Sequence, residues 1–233
     1  KEGYDVFIGS RDLEKSTNAA EKISEKYSVF SKGYSYRAEW TEEEGVKAIF
    51  EDIRSLGYLI DVIVLNAANL GIGQNSLEVD VKDFMSVYST NIGWNFLMAR
   101  EAAKQMKEKG KGSIVFIGSN SALRVTENRC AYCSSKSAII AMSKSLAVDF
   151  GKYGIRSNVV LPGMIKTDRW ENNLNNAKYC LANYTPLEDI AEFEDVANAA
   201  WYFGSDMSRN TTGTELVVDG GMLAQLPPNI DRE

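Results

Sequence analysis

Residues 112–136 read GSIVFIGSNSALRVTENRCAYCSSK, and their order is the pattern from which the architecture can be predicted. An apolar, β-branched run leads into a turn of small and polar residues and then into a segment with helical spacing. The same order recurs along the chain, where short apolar runs alternate with amphipathic stretches. Apolar strands separated by helices are typical of a parallel sheet that is covered on both faces. The sequence therefore predicts a three-layer α/β fold, with residues 1–233 forming a single domain.

The alternation assigns each segment of the chain to a strand or a helix. Strands are predicted at residues 4–9, 34–38, 61–65, 113–117, 157–161 and 215–218, and helices at 13–27, 41–56, 90–109, 131–150 and 194–203. Thr41 and Glu44 form a capping-box pattern at the start of the second helix. Residues 169–189 are polar and rich in Asn, and they follow a strand, so we expect a substrate lid there.

Composition excludes several classes of protein. The net charge of −6 disfavours nucleic acids and anionic membranes as partners, and no apolar run is long enough to span a bilayer. Three cysteines are too few for a disulfide framework, so we expect a cytoplasmic protein. The chain has no histidine, which excludes Ser-His-Asp catalysis and His-ligated metal sites. Cys130 and Cys133 form a CxxC pattern without further ligands, and no metal site is predicted.

Tyr132 and Lys136 are four residues apart, so they share one face of the predicted helix. A neighbouring ammonium lowers the pKa of a phenol, which lets the phenol exchange a proton with a carbonyl oxygen near neutral pH. The alternative is an aromatic residue beside a lysine whose stem covers apolar surface. Small and polar residues also follow the predicted strands, among them Ser10, Asn66, Ser119 and Gly163. Because parallel strands end at one edge of a sheet, this edge is the expected ligand site.

Taken together, these features resemble the short-chain dehydrogenase/reductase family. Ser119 lies 13 residues before Tyr132, as the family's catalytic serine does, and Asn91 in TNIGWNF matches its helix asparagine. The resemblance implies a Rossmann-type doubly wound sheet and an oxidoreductase with Asn91, Ser119, Tyr132 and Lys136 as catalytic residues. Asn91 is expected to hold a water that links the lysine to solvent. The alternatives are a helix N-cap for Asn91, and for Ser119 a turn serine, with Ser121 as a less well-spaced candidate.

The resemblance also implies a set of nicotinamide-cofactor contacts. The turn Leu65-Asn66-Ala67-Ala68 resembles the family's NNAG motif, although the first Asn and the Gly are replaced. Residues 162–167, PGMIKT, resemble its PGxxxT motif, and Tyr132 and Lys136 reach the cofactor as well as the substrate. The expected cofactor-binding residues are Ser10, Arg11, Glu39, Asn66, Ala67, Ala68, Tyr132, Lys136, Pro162, Gly163, Ile165 and Thr167.

The nucleotide is expected to be NADP(H), with NAD(H) as the alternative. NAD-specific members usually have an acidic residue at the end of the second strand, which binds the ribose hydroxyls. This chain has Ser10 at that place and Arg11 after it, and a guanidinium binds a 2′-phosphate well. Glu39 takes the place of a residue that usually contacts adenine. The alternative for Arg11 is a solvated residue at a helix start.

The family's glycine-rich TGxxxGxG motif is not found in the 233 residues. By register it belongs before Lys1, because residues 4–9 match the second strand of the family. We therefore expect a sheet without its first βα unit, either because the sequence is incomplete or because the protein is a natural variant. Such a sheet exposes apolar neighbours and unpaired backbone groups, and its binding of nucleotide is expected to be weak.

The resemblance is nearest in style to 3-oxoacyl-[acyl-carrier-protein] reductases and to sugar or polyol dehydrogenases. The expected substrate is a small carbonyl or alcohol compound or an acyl thioester. Members of the family commonly pair through two long helices, which correspond to 90–109 and 131–150 here, so the resemblance implies a homodimer or homotetramer. The alternative function is a non-catalytic nucleotide sensor or structural member of the same fold, and a third hypothesis is epimerisation or dehydration on the same frame.

Overall fold

The computed structural model describes residues 2–39, 41–167 and 184–225. Its strands, all in parallel pairs, alternate with helices along the chain. They are β1 (Val6–Ser10), β2 (Ser31–Ser35), β3 (Val62–Leu65), β4 (Gly112–Ile117), β5 (Ile155–Pro162) and β6 (Glu215–Val218). The α/β architecture predicted from the alternation is confirmed.

The helices lie close to their predicted positions. They are α1 (Leu13–Tyr27), α2 (Glu43–Ser55), α3 (Val81–Tyr88), α4 (Asn95–Lys109), α5 (Cys130–Gly151) and α6 (Phe193–Gly204). A π-helical turn, Ser89–Trp94, joins α3 to α4, so the helix predicted to start at residue 90 continues a helical path from Val81. Among the described residues, no helix is both long and apolar enough to cross a membrane.

The sheet is divided into two parts. One part is the pair β1–β2, and the other has the strand order β3–β4–β5–β6. Within the described ranges β1 and β3 are not paired, and their facing edges line a cavity of about 800 Å³. Phe7, Val64 and Trp201 are among its lining residues, and the Val64 side chain is 48% exposed. The expected exposure of apolar residues beside an interrupted sheet is thus observed.

Two apolar clusters cover the two faces of the larger sheet. Ile114 and Phe116 of β4 belong to a cluster with residues of α2, α4 and α5, whereas Val115 between them belongs to a cluster with α6. This alternation follows from strand geometry, in which successive side chains point to opposite faces. All three residues are fully buried, so β4 is fixed on both faces. The residues that follow β4 are therefore held by a rigid element.

The second strand differs from its prediction, which was residues 34–38. The structure places it at Ser31–Ser35, where it pairs with β1 from Val6↔Ser31 to Ser10↔Ser35. Its sequence, SKGYS, lacks the apolar alternation by which strands are recognised. Lys32 and Tyr34 instead donate hydrogen bonds to the Asp52 carboxylate, at 2.6 Å each. A Cβ at Gly33 would lie 2.5 Å from the backbone of α1. The strand is thus set by tertiary contacts.

Two further expectations are affected by the structure. The capping box at Thr41 and Glu44 is wrong, because α2 begins after Glu42 and has no side-chain cap; Glu43 instead pairs with Arg100 of α4. Of the lid segment predicted at 169–189, residues 169–183 lie outside the described residues. The remainder contacts the turn after β6, where the Leu187 N–H donates to the Gly220 carbonyl at 3.1 Å.

Gly154 allows β4 and β5 to start side by side, and its replacement is expected to destabilise the fold. It has φ +72°, and a Cβ there would overlap the carbonyl oxygen of Gly110. Gly154→Ala is expected to lower the free energy of unfolding by about 2–4 kcal/mol, from left-handed strain plus overpacking. Gly57 has φ +88° but open space around it, so Gly57→Ala is expected to cost only about 1 kcal/mol of strain. Urea unfolding measures both, and equal losses would contradict the role of the close approach.

Candidate active site

The turn after β4 presents Ser119. The Gly118 N–H donates to the Val160 carbonyl at 2.7 Å, and a Cβ at Gly118 would lie 2.5 Å from the Leu161 side chain. Ser119 itself is extended, with φ −169°, and its side chain is buried. Its Oγ accepts the Ser121 N–H at 3.1 Å, so Ser121 supports Ser119 through its backbone. Because this bond uses Oγ as an acceptor, the Ser119 O–H remains suited to donate to a substrate oxygen.

Helix α5 holds Tyr132 and Lys136 on one face. The Lys136 Nζ lies 5.7 Å from the centroid of the Tyr132 ring. The same Nζ donates to the Ile117 carbonyl at 2.8 Å, which ties the helix to the end of β4 two residues before Ser119. A second tie is made by the Ser137 Oγ, which donates to the Ala122 carbonyl at 2.6 Å. The structure thus brings three of the predicted catalytic residues to one end of β4.

The ammonium of Lys136 is almost completely removed from water, with 3% of the residue exposed. Burial lowers the pKa of Lys136 from 10.5 to about 8, because the charged form loses hydration. At neutral pH the group therefore still carries its proton, but it gives the proton up more easily than an exposed lysine does. A cation of this kind can stabilise negative charge that develops on a neighbouring oxygen during proton transfer.

Asn91 lies inside the π-helical turn, so the alternative of a helix N-cap is wrong. Its side chain is fully buried and bonds to protein groups on two sides. Oδ1 accepts the Asn69 N–H at 2.7 Å, while Nδ2 donates to the Asn69 carbonyl at 3.0 Å and to the Ser135 Oγ at 2.9 Å. Ser135 in turn donates to the Tyr132 carbonyl at 2.8 Å. Asn91 therefore connects the loop after β3 to the helix that holds Tyr132.

Sequence reasoning missed Asn69 and Ser135, the two partners of Asn91. Ser135 lies between Tyr132 and Lys136 on the chain, and a hydroxyl in the first turns of the helix that carries the predicted catalytic tyrosine was an available signal. Asn69 directly follows the Asn66-Ala67-Ala68 turn. Its pairing with Asn91 spans 22 residues and uses backbone atoms. No sequence pattern predicts a hydrogen bond of this kind.

A cavity of about 980 Å³ lies at the carboxyl ends of β1 and β3. Its volume falls within the range of small-molecule sites in proteins. It is lined by the predicted residues Ser10, Arg11, Glu39, Asn66, Ala67 and Ala68, and also by Arg37 and Lys82. Arg37 and Lys82 were not predicted, because both read as ordinary exposed charges. Three cations and one carboxylate in a single cavity fit the adenosine end of a phosphorylated dinucleotide.

The PGxxxT residues follow β5. Pro162 ends the strand, and the Gly163 N–H donates to the Val218 carbonyl at 2.9 Å. A Cβ at Gly163 would lie 2.6 Å from the Asp219 Cβ, so only glycine fits. Ile165 forms a parallel bridge with Ala191, and Thr167 is the last described residue before the gap. These residues lie at the same sheet edge as Ser119, since β4 and β5 are parallel neighbours.

Comparison with known proteins places this geometry among dehydrogenases and reductases. Residues 1–223 match the family model described as enoyl-(acyl carrier protein) reductase. The 7alpha-hydroxysteroid dehydrogenase of Clostridium sardiniense is 31% identical over 230 residues, which cover 97% of this chain and 87% of that protein. The 3-oxoacyl-[acyl-carrier-protein] reductase FabG of Rickettsia felis is 35% identical over 166 residues, 70% of this chain and 68% of that protein.

A likeness to solved structures confirms the predicted Rossmann-type fold. The gluconate 5-dehydrogenase of Burkholderia cenocepacia, solved with NADP and tartrate, superposes with a TM-score of 0.86. The match covers 94% of this chain and 86% of that one, at 22% identity. At this identity the likeness concerns the fold alone.

The lowered pKa of the buried Lys136 should make the free energy of unfolding depend on pH. With a pKa of about 8 in the folded protein and 10.5 unfolded, the unfolded chain binds the extra proton between these values. Stability from this group therefore rises with pH from 8 to 10.5, by about 3 kcal/mol in total, because one pKa unit corresponds to about 1.4 kcal/mol. Lys136→Met should lose this rise, as measured by chemical unfolding at several pH values.

The matched control for this experiment is Lys22→Met, which removes an exposed lysine of α1. It should keep the rise of the unmodified protein. Groups other than Lys136 titrate alike in all three proteins, so the difference between the curves isolates this lysine. Parallel curves for Lys136→Met and the unmodified protein would contradict the assignment.

Proposed function

The chain belongs to the short-chain dehydrogenase/reductase family, and we propose that it transfers a hydride between NADP(H) and a carbonyl or secondary alcohol with Tyr132 as the proton-transfer group. As a family member it is an oxidoreductase that acts on CH–OH or C=O groups. The observation that supports the finer assignment best is the buried Lys136, held by the Ile117 carbonyl with its ammonium over the Tyr132 ring. A buried cation next to a tyrosine is costly for stability, which favours a chemical role.

The chain's own residues would handle the substrate oxygen and its proton. In the direction of reduction, the Ser119 O–H donates a hydrogen bond to the carbonyl oxygen and stabilises the charge that develops there. Tyr132 transfers its phenolic proton to the same oxygen, and Lys136 stabilises the phenolate left behind. A bound nicotinamide supplies the hydride that the carbonyl carbon receives. In the direction of oxidation, Tyr132 accepts the proton from the alcohol.

The relay role expected of Asn91 stays a prediction. Both N–H groups of its amide are used by Asn69 and Ser135. A relay water would therefore have to bind the Asn91 Oδ1 or a backbone group nearby. The side-chain amide of Asn91 acts as a brace, because it joins the loop after β3 to α5. We propose that this brace keeps the loop after β3 at a fixed distance from Tyr132.

The adenosine-side cavity supports NADP(H) as the preferred nucleotide. Arg11, Arg37 and Lys82 line it together, and Glu39 is its one acidic residue. A 2′-phosphate adds about two negative charges, which a guanidinium can bind through two parallel hydrogen bonds. Ser10 has no charge to repel that phosphate. The Ser10 Oγ accepts the Asp12 N–H at 3.0 Å, and this bond stabilises the short turn between β1 and α1.

Three further proposals concern context. The substrate is a small carbonyl or alcohol compound or an acyl thioester, as the names of the relatives suggest. Exposed apolar side chains on the long helices, Phe96 of α4 and Val148 of α5, support a homodimer or homotetramer. The free, exposed thiol of Cys130 suits a reducing compartment such as the cytoplasm.

Removing the phenolic oxygen of Tyr132 should stop the reaction. Tyr132→Phe is expected to lower kcat by about 10²–10⁴-fold, the contribution typical of proton transfer by a positioned group. The affinity for NADPH should change by less than about 3-fold, since only one polar atom is lost. Tyr153→Phe, in a tyrosine that packs against Lys107, is the matched control. Turnover retained by Tyr132→Phe would refute the assignment.

Nucleotide preference should depend on Arg11. Arg11→Ala is expected to weaken NADPH binding by about 10–100-fold, because a charge-assisted hydrogen bond contributes about 1.5–3 kcal/mol. NADH, which lacks the 2′-phosphate, serves as the internal control, and its affinity should change by less than about 3-fold. Equilibrium fluorescence titration measures both constants without turnover. An equal loss for the two nucleotides, or tighter binding of NADH by the unmodified chain, would contradict the proposal.

A further inference from the structure

Arg129 lies beside Tyr132 but takes no part in the proposed proton transfer. It directly precedes α5, three residues before Tyr132, and is half-buried. The central carbon of its guanidinium lies 5.3 Å from the centroid of the Tyr132 ring. Lys136 lies near the same ring at 5.7 Å, so two cations flank one phenol.

Arg129 differs from the other half-buried arginines of the described residues. Arg100 pairs with Glu43 and Glu101. Arg156 donates to the carbonyls of Phe203 and Ser205 and to the Ser208 hydroxyl. The Arg129 guanidinium, by contrast, forms no hydrogen bond or ion pair with any described residue, and it packs against the ring of Tyr132. Partial burial of a guanidinium without an acceptor costs free energy that a bound anion would recover.

The loop after β3 forms the other side of this position. A Cβ at Gly73 would lie 3.9 Å from Nη1 of Arg129, so the guanidinium extends beside that backbone. The Gln74 N–H donates to the Asn128 carbonyl at 3.0 Å and fixes the loop next to the start of α5. Arg129 therefore lies in a defined position between this loop and Tyr132. Stacking on a ring leaves the N–H groups at the guanidinium edge able to donate.

We propose that Arg129 binds a carboxylate of the substrate, so that the enzyme acts on oxo acids and hydroxy acids whose carboxylate lies near the reacting carbon. The proposal rests on the proposed function, because Tyr132 marks where the reacting oxygen binds. A planar guanidinium matches a carboxylate through two parallel N–H···O bonds. The carboxylate holds the molecule at a second point, and the carbonyl is then oriented toward Ser119 and Tyr132. Acids are thereby favoured over neutral thioesters.

The test compares each acid with its own neutral form. A panel of oxo acids and their methyl esters is reduced with NADPH by the unmodified protein, Arg129→Leu and Arg129→Lys. Arg129→Leu should raise KM for the acid by about 10–100-fold relative to KM for the ester. This is the loss of affinity expected when one charge-assisted hydrogen-bonded pair is removed. Arg129→Lys keeps the positive charge but loses the two parallel N–H groups of the guanidinium. Its KM for the acid should therefore lie between the values of the unmodified protein and of Arg129→Leu. Arg209→Leu, which removes an exposed arginine, should keep the preference of the unmodified protein.

Binding of the same acids is measured separately by isothermal titration, and circular dichroism checks that each variant folds. Equal losses for acid and ester in Arg129→Leu would overturn the inference, because Arg129 would then act only through Tyr132. A preference for esters in the unmodified protein would overturn it while leaving the oxidoreductase function intact. Acid binding that depends on Arg129 without any turnover would support the inference and reject the proposed function. Absence of acid binding and of acid turnover would overturn it.

Discussion

The ammonium of Lys136 is a charge that the fold must hold away from water, and the candidate site depends on how it does so. Burial of a cation is costly unless it is well bonded, and the Ile117 carbonyl at 2.8 Å supplies the bond. That bond forms only when Lys136 of α5 lies next to Ile117 at the C-terminal end of β4. Ser119 follows Ile117 by two residues, and Tyr132 precedes Lys136 by one helical turn. This contact, together with the hydrogen bond from Ser137 to the Ala122 carbonyl, therefore fixes the position of the Tyr132 phenol relative to the Ser119 hydroxyl.

The divided sheet places a different demand on the cofactor side. Arg11 follows β1, whereas Asn66 follows β3, and these two strands are not paired within the described residues. The walls of the 980 Å³ cavity are thus joined by side-chain contacts, among them the hydrogen bond from the Thr90 Oγ1 to the Ala38 carbonyl, and not by a hydrogen-bonded ladder. One such contact is the stacking of Tyr36 on Trp94, with ring centroids 4.5 Å apart. A ligand that touches both walls would therefore add to the cohesion of the two parts of the sheet.

The order of strands and helices was predictable from the sequence because it depends on local pattern, whereas the four predicted catalytic residues were selected by their resemblance to family motifs. A continuous apolar, β-branched run located β4, and the family's 13-residue spacing favoured Ser119 over Ser121. The second strand was misplaced because Lys32 and Tyr34 owe their positions to Asp52 on another element. The partners of Asn91 were missed for the same reason. Contacts between distant segments produce no periodic sequence pattern, whether they join side chains, as at Asp52, or use backbone atoms, as at Asn69.

The distribution of cations explains how an acidic chain can serve anionic ligands. The net charge is −6, so the long-range field repels them. Salt screens that field beyond a Debye length of about 8 Å at physiological ionic strength, and contacts within the site then decide binding. Basic residues elsewhere, such as Arg54 and Arg100, are paired with carboxylates. Arg11 and Arg129 form no ion pair with a described residue, and each adjoins one end of the proposed site. Positive potential is thus kept where a phosphate and a carboxylate would need it.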